Sequence, residues 1–353
     1  AVFCAACAAH DRFHLKDGDR VVFFGDSITE QHLYTTFVET YSLTRFPERH
    51  VTFVNSGWGG ERVTGGLGGG IVERLARDVL AYRPDVVTIL LGMNDGRYRA
   101  FDERLFNVYS NGYRDIIKRL KGARPGVRLT AIQPSPYDDV TREPGFPGGY
   151  NAVMLRYGDF VRELAAAENL TVADFNHPVT AMLARAKASH PMLSQKIIPD
   201  RVHPGASGNL IMAGALLKAW HAPAVVSAID IDAAAKRVVK SENTSVSGMS
   251  FGSAVTWTQT DEALPAPVDR SDAATNLALA SSDFQETLNR QTLRVTGLGP
   301  GNHTLSIDDD EVAAPVEETG IAGSEPAIFG DGLHRRLGLL VIALEHSARA
   351  DQH

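Results

Sequence analysis

Five short runs of Val, Ile, Leu and Phe mark the first half of the chain. They are Arg20–Phe24 closing on Gly25, Val51–Val54 closing on Asn55, Val86–Leu91 closing on Gly92, Val127–Ile132 closing on Pro134, and a weaker run at Leu170–Phe175. Nearly continuous apolar runs of this length predict strands buried on both faces, hence a parallel sheet. Helical periodicity fills the gaps. Val72, Leu75, Val79 and Leu80 share one face before Arg83-Pro84. Leu105, Tyr109, Tyr113, Ile116, Ile117 and Leu120 repeat at helical spacing, as do Val153, Tyr157, Phe160, Val161 and Leu164, and Leu210 to Trp220 closes the series. Strand–helix alternation with right-handed crossovers predicts a three-layer α/β/α sandwich. Functional groups in such sheets gather beyond the carboxyl ends of the strands.

The pattern changes after about residue 222. Residues 244–260 alternate polar and apolar in strand fashion, and Leu293–Leu298 with His303–Ile307 around Gly299-Pro300-Gly301-Asn302 predict a hairpin. The expected organisation is a catalytic domain over 10–222 and a smaller β-rich module over 223–353, with the last forty or so residues lacking periodicity and expected to be partly disordered.

Composition narrows the classes. A formal net charge of -7 and the absence of any Lys/Arg-rich run argue against a nucleic-acid partner. No apolar stretch approaches the ~18 residues of a membrane span. Cys4 and Cys7, the two cysteines, lie in the small apolar segment Ala1–Ala9, which has the character of a signal-peptide tail and carries the expectation of export, to the periplasm or outside the cell.

Four segments carry candidate chemistry. Gly25-Asp26-Ser27-Ile28-Thr29-Glu30 directly follows the first strand, where a serine hydroxyl would sit at the sheet edge near a helix N-terminus. The same residues also read as a capping box, Ser27-x-x-Glu30. They are not a G-x-S-x-G elbow, because Thr29 stands where the second Gly belongs. Asn55-Ser56-Gly57-Trp58-Gly59-Gly60-Glu61 follows the second strand, and a Gly-rich turn can aim a backbone N–H at an oxyanion or simply serve backbone geometry. Gly92-Met93-Asn94-Asp95 follows the third strand, where an Asn can donate its side-chain NH₂ or form an Asx-turn. Asp200-Arg201-Val202-His203-Pro204 precedes the last helix and puts a carboxylate three residues from a histidine, a base with its orienting acid. With twelve histidines in the chain, a single D-x-x-H also fits a surface turn. All four segments should converge on one edge of the sheet.

Together these segments resemble the four blocks of the SGNH (GDSL) hydrolase family, over residues 20–221. The resemblance implies a flavodoxin-like parallel sheet, Ser27 as nucleophile, His203 as base and Asp200 as the acid that orients it. It also implies an oxyanion hole from the Ser27 N–H, the Gly60 N–H and the Asn94 side chain, with Gly57 and Gly59 as rivals to Gly60. Position 28 is Ile where the family name has Leu.

The implied chemistry is acyl transfer to water through an acyl-enzyme, with no metal or organic cofactor. Trp58, Arg62, Arg97 and Tyr98 are expected at the mouth and suit a sugar or other polar alcohol better than a long acyl chain. The substrate expected is therefore a short acyl ester, acetyl foremost, on a small molecule or carbohydrate. Lipase, lysophospholipase and aryl esterase activities are alternatives within the family. Outside it stand a metal hydrolase using Asp26, Asp200 and His203, and a non-catalytic glycan-binding protein.

Overall fold

The computed structural model describes residues 12–299, 302–308, 310–317 and 340–347. Ala1–Ala9, with the expected signal-peptide tail and both cysteines, lie outside the described residues. The chain divides into two units, one of Arg12–Ala222 with Val268–Phe284, the other of Pro223–Pro267 with the described residues from Gln285 on.

The first unit is built on five parallel strands: β1 (Arg20–Gly25), β2 (Thr52–Gly57), β5 (Val86–Leu90), β6 (Arg128–Gln133) and β7 (Thr171–Asp174). A two-residue ladder of glycines, β3 (Gly65–Gly66) and β4 (Gly69–Gly70), interrupts the series. The order in the sheet is β2-β1-β5-β6-β7, the flavodoxin-like arrangement. Val22 of β1 pairs with Val54 on one side and Val87 on the other. The chain therefore leaves β1 in one direction and later returns on its opposite flank. That reversal opens a crevice at the carboxyl ends of β1 and β5.

Helices cover both faces. They are α1 (Ser27–Glu30), α2 (Leu33–Arg45), α3 (Ile71–Asp78), α4 (Glu103–Ala123), α5 (Asn151–Glu168), α6 (His177–Ser189), α7 (Pro191–Ser194) and α8 (Ala206–Ala219). One group packs α2 and α6 on α8; the other joins α3, α4 and α5. The expected stripes are buried in α4 and α5, and Tyr113 of α4 donates its hydroxyl to the Ile89 carbonyl at 3.0 Å. Val72 departs from expectation. It is exposed while Leu75 and Val79 are buried, and within α3 only Arg74 and Leu75 are buried.

A ninth helix, α9 (Ala273–Ala280), returns from the C-terminal region to the first unit. Asp272 caps it through the Ala274 and Thr275 N–H groups. Arg185 of α6 donates to the Ser281 carbonyl at 2.6 Å, just past the end of α9.

The second unit is β-rich, as expected. Three strands, β8 (Val225–Asp232), β9 (Arg237–Glu242) and β12 (Arg290–Thr296), form one sheet in the order β12-β8-β9. A second sheet contains β10 (Thr244–Phe251), β11 (Ala254–Asp261), β13 (Asn302–Ile307), β14 (Asp310–Glu317) and β15 (Leu340–Ser347). Its core draws Ile229 and Ile231 from one sheet and Val255, Trp257, Leu305 and Ile307 from the other. The expected hairpin is not formed. β12 pairs parallel with β8, whereas β13 pairs with β14 and β15. Alternation reports that each segment is a half-buried strand and does not name its partner. β15 falls within the final stretch read as lacking periodicity.

Candidate active site

The loops after β1, β2 and β5 and the turn before α8 supply the site. After β1 the chain turns at once into α1. A Cβ on Gly25 would overlap the Thr29 side chain, and one on Gly57 would overlap the Thr29–Glu30 backbone, so the sheet edge accepts α1 only with glycine at both places. Asn55 reinforces the seat, donating to the Thr29 carbonyl at 2.7 Å and to Thr35 Oγ1 at 3.1 Å. The N-cap of α1 is Asp26, whose Oδ1 accepts from the Ile28 N–H at 3.0 Å. Ser27 is therefore the first helical residue, and its hydroxyl is not spent on the capping box that its sequence also permits.

That hydroxyl lies 2.7 Å from His203 Nε2. His203 Nδ1 lies 2.6 Å from Asp200 Oδ2, and Asp200 Oδ1 accepts the backbone N–H groups of Val202 at 2.9 Å and His203 at 2.7 Å. With Nδ1–H donated to the carboxylate, Nε2 is left as acceptor toward Ser27. Burial alone would raise the Asp200 carboxyl, but the His203 N–H, the His203 ring and the Val202 N–H outweigh it and hold the group below its ordinary value. The strip after β6 anchors this turn. Asp138 N–H donates to the Arg201 carbonyl at 2.9 Å, and the Arg142 guanidinium donates to the carbonyls of Gln195, Ile198 and Pro199, each at 2.9 Å.

The D-x-x-H-P pattern occurs twice. Asp174-Phe175-Asn176-His177-Pro178 has the same internal geometry as the later turn, with His177 Nδ1 at 2.7 Å from Asp174 Oδ2 and Asp174 Oδ1 on the Asn176 and His177 N–H groups. It opens α6 at the end of β7, whereas the His203 turn opens α8 and reaches Ser27.

The second and third loops meet each other. Asn94 Nδ2 donates to the carbonyl of Glu61, the residue after Gly60, at 3.1 Å. Gly57 spends its N–H on Asn55 Oδ1 at 3.0 Å, which removes it from the three rival glycines. Gly60 sits at φ 70°, a left-handed conformation that suits glycine.

A buried charge cluster lies behind these loops. Arg74 Nε meets Glu61 Oε2 at 2.5 Å, with side-chain exposures of 1% and 0%. Asp95 Oδ1 accepts from the Val63 N–H at 3.1 Å, while its Oδ2 is buried without a hydrogen-bond partner. Burial, with help from neighbouring carboxylates, pushes the Asp26 and Asp95 carboxyls up to about 7. At neutral pH each is partly protonated. Glu61 and Arg74 were not singled out in the sequence, where a charged residue in a Gly-rich loop or an amphipathic helix reads as solvated.

Of the residues expected at the mouth, Trp58, Arg97 and Tyr98 are exposed and Arg62 is half-buried. Trp58 lies under the guanidinium groups of Arg74 and Arg77, at 5.2 and 5.6 Å, and Tyr98 donates its hydroxyl to Asn94 Oδ1 at 2.9 Å. Among the described residues no helix is long and apolar enough to cross a membrane.

A parallel sheet in this order, with a serine on its first turn against a histidine–aspartate pair, defines an acyl hydrolase of the SGNH architecture. The chain belongs to the GDSL-like lipase/acylhydrolase family, whose pattern it matches over residues 23–211, and it is a carboxylic ester hydrolase. It is 26% identical over 233 residues to an acetylxylan esterase of Geobacillus stearothermophilus, covering 58% of this chain and 94% of that one. A solved gut microbial diltiazem-metabolizing enzyme is similar over 86% of this chain and 71% of its own, with 29% identity and a TM-score of 0.72. That share reaches well past the family-matched segment.

Proposed function

We propose that this hydrolase removes short acyl groups, acetyl foremost, from a carbohydrate or similar polar alcohol through a Ser27–His203–Asp200 triad. The contact that carries the reading is the 2.7 Å approach of Ser27 Oγ to His203 Nε2, with Asp200 at 2.6 Å on the far ring nitrogen. Nε2 takes the hydroxyl proton as Oγ attacks the ester carbonyl. The Ser27 and Gly60 N–H groups and the Asn94 amide hold the tetrahedral oxyanion. The C–O bond to the alcohol breaks, and His203 returns the proton to the leaving oxygen. Water then attacks the acyl-enzyme, gives its proton to the same nitrogen, and frees the acid and the serine.

The acyl preference rests on the polar and aromatic character of Trp58, Arg62, Arg97 and Tyr98 and on the acetylxylan esterase relative. The geometry disfavours the metal-hydrolase alternative, because both His203 ring nitrogens are engaged and Asp26 caps α1.

A panel of p-nitrophenyl esters from acetate to octanoate, run beside acetylated xylooligosaccharides, tests the proposal. Acetate and acetylated sugar should turn over fastest, and Ser27→Ala should fall to background on every substrate. Octanoate as the best ester would overturn the acyl preference, and turnover retained by Ser27→Ala would overturn the nucleophile.

A further inference from the structure

The loop after β5 is gripped by two phenol hydroxyls. Buried Tyr150 donates to the Met93 carbonyl at 2.6 Å, and a Cβ on Gly96 would come within 2.5 Å of that same hydroxyl. Tyr98 donates to Asn94 Oδ1 at 2.9 Å, from a ring packed 5.1 Å from Tyr150 and 6.3 Å from Tyr137. To bring Tyr98 back over Asn94 the chain places two consecutive non-glycine residues in the left-handed region, Arg97 at φ 57° and Tyr98 at φ 53°. Such residues are disfavoured and persist where the surroundings over-determine them. Partial burial raises the phenol of Tyr98, whose side chain is otherwise exposed, to about 12, so it remains a donor across the working pH of an esterase.

The hydrogen bonds around Asn94 leave little freedom. A primary amide has one carbonyl oxygen and two N–H groups. The oxygen takes the Tyr98 hydroxyl, and one N–H goes to the Glu61 carbonyl at 3.1 Å. One N–H remains, with its direction set by the other two bonds. Turning the amide over would place Oδ1 against the Glu61 carbonyl and break both contacts. Donation to the amide oxygen also polarises the remaining N–H, because linked hydrogen bonds strengthen one another.

We propose that Tyr98 is a positioning residue whose hydroxyl locks and polarises the Asn94 amide for the oxyanion, beyond the substrate contact expected of its ring. The inference deepens the acyl-transfer reading and rests on Asn94 serving that oxyanion. Because the oxyanion exists only after attack, the effect belongs to kcat and not to substrate binding.

A double-mutant cycle tests it. kcat and KM for p-nitrophenyl acetate are measured on the full chain and on Tyr98→Phe, Asn94→Ala and the double variant. Tyr98→Phe keeps the ring and its packing and removes only the hydroxyl. Its kcat should fall about tenfold, the effect of losing one hydrogen bond, with KM within about twofold. In the Asn94→Ala background the same change should move kcat by less than about twofold, since the group it acts through is gone. A wild-type kcat for Tyr98→Phe, a change confined to KM, or the same loss in both backgrounds would overturn the proposal. A wild-type kcat for Asn94→Ala would instead bring down the oxyanion reading, and this inference with it.

Discussion

Replacing Asp200 by Asn should harm the enzyme more than replacing it by Ala. Asp200 Oδ2 takes the His203 ring proton while Oδ1 takes two backbone N–H groups, at 2.9 and 2.7 Å. In Asp200→Ala the ring loses a charge-assisted hydrogen bond, about 1.5–3 kcal/mol. The Asp200 side chain is 53% exposed, so water replaces part of that loss, and a fall in kcat of roughly ten- to a hundredfold follows. In Asp200→Asn the amide oxygen stays with the two backbone donors, which turns the NH₂ toward Nδ1. The imidazole must then carry its proton on Nε2, facing Ser27, where it cannot accept the hydroxyl proton. Reversing the amide would sacrifice both backbone bonds, about 0.5–1.5 kcal/mol each. Asp200→Asn should therefore run roughly ten- to a hundredfold below Asp200→Ala. The assay is kcat/KM for p-nitrophenyl acetate between pH 5 and 9, with thermal melting as the control for folding. Asn equal to or faster than Ala would refute this tautomer argument.

The other predictions concern the scaffold behind the site. Burial pushes the Asp95 carboxyl from 3.8 up to about 7. Between those values the folded chain holds a proton that the unfolded chain has released, so this group's contribution to stability falls as pH rises through the window and levels off above it. Asp95→Asn removes that slope, and its Tm relative to the wild type should climb from pH 4.5 to 7.5; a gap constant across that range contradicts the assignment. Arg74→Ala strands the buried Glu61 carboxylate and should cost about 3–5 kcal/mol; a Tm drop under about 4 °C would contradict it. Gly57→Ala drives a methyl into the Thr29–Glu30 backbone, displacing α1 and Ser27 with it. Its kcat/KM should fall about a hundredfold, the effect of a roughly 1 Å misplacement, and near-wild-type turnover would show that α1 tolerates the shift.

The central strands β1, β5 and β6 were legible because both faces are buried, which writes them as uninterrupted apolar runs such as Val86–Leu90; the edge strands β2 and β7 are only partly buried, and β7 reads more weakly. The site was legible as four segments ending on one sheet edge. The place of Asp200–Pro204 before the last helix marks it in the sequence, where the same D-x-x-H-P pattern at Asp174–Pro178 goes unremarked; in the structure it is His203 that meets Ser27. The Glu61–Arg74 pair was hidden because burial of a charge depends on a partner thirteen residues away, which no periodicity encodes. The helix Ala273–Ala280 was hidden for a different reason. Its Ala- and Leu-rich sequence has no polar face to set a helical period. In the β module, alternation marked β10, β11, β12 and β13 but not β8, β9 or β15, and pairing between β12 and β8 joins segments some sixty residues apart.

The account stands on one contact, Ser27 Oγ against His203 Nε2, and covalent capture reads it directly. The full-length protein is treated with a fluorophosphonate and the adduct is located by peptide mass spectrometry. A single phosphonyl group should appear on Ser27, form far more slowly in His203→Ala, and be absent from Ser27→Ala. An unmodified Ser27, or labelling of Ser27 at the same rate without His203, would contradict the triad.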